Sequence, residues 1–102
     1  MLPIEIAEDQ LAQFCQRWKI RELALFGSVL RADFSPQSDI DLLVTFADDA
    51  QWSLFDHVKM EQELETLLRR KVDLVTKRAV EQSQNAIRRE SILGTARTLI
   101  AA

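Results

Sequence analysis

The sequence has no tyrosine, one cysteine (Cys15), one histidine (His57), two glycines (Gly27, Gly94) and two prolines (Pro3, Pro36). A lone cysteine excludes an internal disulfide. With a single histidine beside it, a structural zinc site is also disfavoured. The longest uninterrupted apolar run is four residues, as at 23–26 (LALF), far too short to cross a bilayer. The opening residues MLPIEIAEDQ lack the basic start and apolar stretch of a secretory signal, so a reducing cytoplasm is the expected location. Basic residues number 13 and acidic residues 16, a net charge of −3. That balance argues against nonspecific nucleic-acid binding, which needs an excess of Lys and Arg. The 102 residues, 47% of them apolar, fit one domain spanning 1–102, with no repeat, linker or low-complexity tract.

With so few breakers, each one punctuates the chain. Leu11, Phe14, Cys15 and Trp18 recur at i, i+3, i+4 and i+7, which predicts a helix over 7–18. A short strand is expected over 22–26, ended by Gly27-Ser28, with a helical turn at 29–32 and a loop at 33–38 around Pro36. Residues 39–46 (DIDLLVTF) alternate as a strand, with Ile40, Leu42 and Val44 on one face and Asp39, Asp41 and Leu43 on the other. An acidic loop at 47–53 precedes a helix over 54–68, built on Met60, Leu64, Leu67 and Leu68. Arg69, Arg70 and Lys71 at its C-terminal end suit the helix dipole. A third strand is expected over 71–75, then a helix over 80–93 capped by Gly94, then a tail that is a short strand or a frayed helix end. This order gives an α/β domain. The hairpin-like link between the first two strands favours a mixed or antiparallel sheet with helices packed on it.

The chemistry concentrates at Asp39 and Asp41. Two residues apart on a strand, their Cα atoms lie roughly 6.6 Å apart. At an effective dielectric near 20, the mutual repulsion of converging carboxylates is on the order of 3 kcal/mol. No Lys or Arg stands at Ile40 or Leu42 to offset it. A divalent cation does so naturally, and oxygen ligands favour Mg²⁺ or Mn²⁺. Taken alone, the same pair also fits two acids on a solvent-facing strand side. Gly27-Ser28, at a strand end, offers free backbone N–H groups, a hydroxyl and close access for a phosphate; it also fits an ordinary capped turn. Asp73 sits inside a short apolar strand, where aspartate is depleted. It either joins the first two acids as third ligand or general base, or pairs with Arg70 or Lys71.

The run FGSVLR at 26–31, the SDIDLLV at 38–44, with ten residues between Ser28 and Asp39, and the RKVDLVT at 70–76 together resemble the minimal nucleotidyltransferases of the polymerase-beta superfamily. More narrowly, they resemble the MntA-type antitoxins that partner HEPN-domain ribonuclease toxins. The resemblance covers residues 20 to 95 or so, and the combined pattern is far more specific than any one part. It implies a small mixed-sheet nucleotidyltransferase fold and Mg²⁺-dependent transfer of AMP from ATP to a tyrosine of the partner toxin, which silences it. By the match, Gly27 and Ser28 hold the triphosphate, Arg31 steadies the loop or the phosphates, Asp39 and Asp41 bind metal, and Asp73 completes the metal site and activates the acceptor. Ala32 departs from the glycine common at that place. Because the chain has no tyrosine, a tyrosine acceptor must come from elsewhere. Two rival readings are an antitoxin acting by contact alone, with vestigial acids, and a nucleotidyltransferase for a small molecule. His57 reads as a surface or capping residue, Cys15 as core, and Trp18 and Trp52 as packing or interface residues rather than adenine-stacking ones. Lys77, Arg78, Arg88 and Arg89 read as a solvated helix face.

Overall fold

The structure, a computed structural model, describes residues 8–27 and 39–101. The expected turn at 29–32, the loop at 33–38 and the assignments to Ser28 and Arg31 lie outside the described residues. The elements run α1 (Glu8–Arg17), β1 (Ile20–Phe26), β2 (Ile40–Phe46), α2 (Leu54–Leu68), β3 (Val72–Thr76), α3 (Lys77–Glu81), α4 (Ala86–Thr95) and β4 (Arg97–Ala101).

Strand alternation builds the architecture. Ile40, Leu42 and Val44 of β2, Leu23 and Leu25 of β1, and Val72 and Leu74 of β3 all turn to one face. There they meet Leu11, Phe14 and Cys15 of α1 and Met60, Leu64 and Leu68 of α2 in the main core. The opposite face carries a smaller cluster, with Ala24, Phe26 and Leu43 packed against Val80 of α3 and Ile92 of α4. The four strands form one mixed sheet in the order β3-β2-β1-β4. β1 is antiparallel to β2 and to β4, and β2 is parallel to β3. The tail therefore realises its strand alternative. Among the described residues, no helix is long and apolar enough to cross a membrane.

Local chemistry sets the boundaries. Ser53 opens α2 with a capping box: its hydroxyl accepts from Asp56 N–H (3.2 Å) while its own N–H donates to Asp56 Oδ2 (2.9 Å). Two turns need left-handed backbone, and with glycine so scarce they use Lys19 (φ 53°) and Arg69 (φ 55°). Trp18 and Trp52 pack edge-on, with centroids 5.0 Å apart. Trp52 Nε1 donates to Trp18 O (2.9 Å), and Trp18 Nε1 donates to Glu63 (3.1 Å). Both rings are structural.

The expected single helix over 80–93 is corrected: there are two helices with a break at residues 82–85. Thr76 starts the first one early by accepting from Ala79 N–H (3.1 Å). Ser83 and Asn85 then satisfy the backbone locally. Ser83 Oγ accepts from Asn85 N–H (3.2 Å), Asn85 Oδ1 accepts from Arg88 N–H (3.0 Å), and Arg89 donates to Ser83 O (2.6 Å). Gly94 is not a cap. It lies inside α4, which runs on to Thr95 and is closed by Ala96.

Two outcomes test this description. A methyl group at Gly94 would meet nothing within 4 Å. Gly94→Ala should therefore stabilise the chain by about 0.5–1 kcal/mol, seen as a Tm rise of about 3–6 °C in thermal unfolding. Burial holds the Cys15 thiol up at about 11. At pH 8 it should resist iodoacetamide in the native state and react on unfolding in urea.

Candidate active site

The acids lie on the face of the smaller cluster because the main core claims the alternate positions. On β2, Ile40 and Leu42 are fully buried in the main core, so Asp41 between them faces the other way, as Leu43 does. On β3, Val72 and Leu74 turn to the main core, so Asp73 shares the face of Val75. Asp41 and Asp73 are direct register partners on parallel neighbours, with backbones about 4.8 Å apart. Parallel partners in register present their side chains to the same side of the sheet. Asp39 stands one residue before β2, exposed, at the same end. Asp41 and Asp73 thus stand side by side on one face, with Asp39 at the same end of the sheet. Among the described residues Asp73 is in no ion pair, so the alternative partnership with Arg70 or Lys71 is not formed.

The third strand of this corner is β1. Its last residue, Phe26, is the register partner of Asp41. Gly27 follows with φ +75°, a conformation glycine alone adopts freely. A Cβ placed there would overlap Asp41 Oδ2 and lie 3.2 Å from Asp41 Cγ. Glycine is therefore required twice, by the backbone angle and by the carboxylate lying against it. Gly27 and Asp41, 14 positions apart in sequence, form one continuous surface.

Three carboxylates are hard oxygen donors, the chemistry of Mg²⁺ or Mn²⁺ sites. Among the described residues no three His, Cys, Asp or Glu side chains are gathered into a ready metal cage. Mg²⁺ is ordinarily held by one or two carboxylates with substrate phosphates completing the shell, so the Asp39–Asp41 pair fits it.

One set of residues went unrecognised in the sequence. His57 is not a surface or capping residue. It is half-buried, and its Nε2 lies 2.7 Å from Leu74 O on β3. Glu61 accepts from Leu74 N–H (3.0 Å) and Glu65 from Val72 N–H (3.1 Å). The signal was a polar row at i, i+4 and i+8 on α2. The basic residues read as a solvated face are largely that: Arg78 and Arg88 are exposed, while Arg89 helps hold the helix break.

The profile of the nucleotidyltransferase domain matches residues 8–94. The chain belongs to this family. Protein adenylyltransferase MntA of Thermococcus cleftensis is 37% identical over 81 residues, which are 76% of this chain and 80% of that protein. A Methanocaldococcus jannaschii relative, named for protein adenylyltransferase activity, is 36% identical over 64 residues, and the chain spans 64% of its length. A toxin–antitoxin crystal structure with AMP-PNP superposes with a TM-score of 0.69 at 23% identity, covering 95% of this chain and 75% of that one. A tri-AMPylated Shewanella oneidensis HEPN toxin in complex with MNT antitoxin gives a TM-score of 0.60 at 23% identity, covering 93% and 70%. These two structures share the nucleotidyltransferase fold, a mixed sheet with helices on both faces.

Gly27→Ala should cost about 1–3 kcal/mol in urea unfolding, from the strained φ and the displaced Asp41 carboxylate together. Gly94→Ala, the other glycine substitution, should move stability in the opposite direction.

Proposed function

We propose that this nucleotidyltransferase is an antitoxin that transfers AMP from ATP to a tyrosine hydroxyl of a HEPN-family ribonuclease toxin, with Mg²⁺, and so silences it. The observation that carries this reading is the position of Asp41. It is in register with Asp73 on one side and lies against the Gly27 turn on the other. The family and the adenylyltransferase relatives support the group transferred, and the AMPylated HEPN toxin in the superposed complex supports the acceptor class.

In this reading the phenolic oxygen attacks the α-phosphorus of ATP. The new O–P bond forms as the bond to the bridging oxygen breaks, and pyrophosphate leaves with the electron pair. The acceptor proton passes to Asp73, whose exposed carboxylate can be reached from outside the fold. Asp39 and Asp41, with Asp73 completing the site, would hold Mg²⁺, which when bound would neutralise charge on the leaving pyrophosphate. Gly27 leaves its backbone open to a phosphate, and Ser28 and Arg31 are the further residues proposed for the triphosphate. The rest of the rate enhancement is positioning, which a small rigid sheet can supply. An acceptor supplied by another protein accords with the tyrosine-free sequence.

The test is to incubate the chain with ATP, Mg²⁺ and a HEPN-family ribonuclease toxin. Intact-mass spectrometry should show AMP added to a tyrosine of that partner, and none with EDTA. Asp39→Asn and Asp41→Asn should each lower the rate by about 100-fold or more, a loss of the size seen on removing a transition-state contact. A partner left unmodified under every divalent metal tried, yet still neutralised by the double Asn variant, would establish the contact-only antitoxin instead.

A further inference from the structure

Among the described residues β3 is an edge strand, and its outer edge is met by side chains rather than by another strand. His57, Glu61 and Glu65 lie at i, i+4 and i+8 on α2, one row along a single helix face. Four helical residues rise about 6.0 Å, close to the roughly 6.6 Å that two strand residues span. That match lets one helix row meet successive outward backbone groups of a strand. Glu65 takes Val72 N–H, Glu61 takes Leu74 N–H, and His57 Nε2 meets Leu74 O. All three side chains are half-buried. The inward groups pair with β2, beginning with Ile40 N–H to Lys71 O at 2.8 Å. Between the two outward amides gripped by glutamates stands one residue, Asp73.

We infer that Glu61 and Glu65, with His57, are positioning residues that hold β3 by its outer edge and so set Asp73 against Asp41. This rests on the proposed role of Asp73 in AMP transfer. A carboxylate bonded to a backbone N–H is charge-assisted, which makes it a firmer anchor than a neutral acceptor. β3 is only five residues long and, among the described residues, pairs with a single strand, so without that anchor the ladder to β2 would hold it. The effect reaches the reaction through the backbone of β3, since neither glutamate is on the face that carries Asp73.

The experiment compares the Glu61→Ala/Glu65→Ala pair, the Glu61→Gln/Glu65→Gln pair and Glu63→Ala. Glutamine keeps an acceptor oxygen. Glu63 lies on the same helix but bonds Arg17 and Trp18, so its loss reports destabilisation of α2 without touching β3. Three quantities are read: hydrogen exchange at the Val72 and Leu74 amides, Mn²⁺ affinity in the presence of ATP by electron paramagnetic resonance, and kcat and KM for AMP transfer. The Ala pair should lose protection at both amides. It should weaken Mn²⁺ binding and lower kcat, each by about 10–100-fold, the range for residues that orient metal ligands. KM for ATP should stay within about 3-fold, the Gln pair should recover most of the loss, and Glu63→Ala should leave kcat and Mn²⁺ affinity near wild type. If the Ala pair matches Glu63→Ala in Mn²⁺ affinity and kcat, the positioning role is overturned and AMP transfer stands. If the wild-type chain transfers no AMP while the exchange and Mn²⁺ pattern holds, the transfer reading falls and the positioning role stands.

Discussion

The alternation of β2 is the constraint from which the rest follows. Its even positions, Ile40, Leu42 and Val44, are almost wholly withdrawn from water between α1 and α2. Each contributes about 1.5–3 kcal/mol of burial, and a shift of one residue would put all three on the wrong side. The register of β2 is thus fixed by hydrophobic packing. That packing in turn holds Asp41 on the far face, between β3 and the end of β1. A carboxylate is thus set on one face of the sheet by residues that belong wholly to the core on the other.

The two faces divide the work. Among the described residues, the main core has 14 buried residues and two amphipathic helices and carries stability. Among the same residues the second face has five buried, gathered under α3 and α4, and gives the end of the sheet to charge. Polar groups are satisfied throughout: among the described residues no buried side-chain nitrogen or oxygen lacks a hydrogen-bond partner. Exposed ion pairs such as Lys19–Asp49 (3.1 Å) draw down the Asp49 carboxyl but add little to the fold.

Much of this was legible in the residues. The strand expected over 39–46, found over Ile40–Phe46, and the helix over 54–68 announced themselves by period, and Asp41 by standing in a strand largely apolar. Strand β1 begins two residues earlier than expected, because Ile20 is buried and the left-handed Lys19 makes the turn that a glycine would have marked. The region of α3 and α4 misled because residues 80–93 hold no glycine or proline to mark a break, while Ser83 and Asn85 bond their own backbone more effectively than a helix would. Gly94 looked like a terminator and is merely a weak helix residue. The row of His57, Glu61 and Glu65 was invisible for a different reason. Its meaning depends on the outer edge of a strand, and which strand lies at an edge is a matter of topology that no local pattern records. The nearness of Gly27 to Asp41 was likewise a consequence of antiparallel register, not of spacing.

The covered flank of β3 has a bearing on self-association. A sheet polymerises edge to edge only when both flanks can accept a further strand. Here the outward amides of Val72 and Leu74 are already engaged by glutamates, which cannot be extended by a neighbour's backbone. Among the described residues only the β4 side remains for strand addition, so stacking through these edges would end at a pair of molecules, and a runaway cross-β ribbon has no second rail on which to grow.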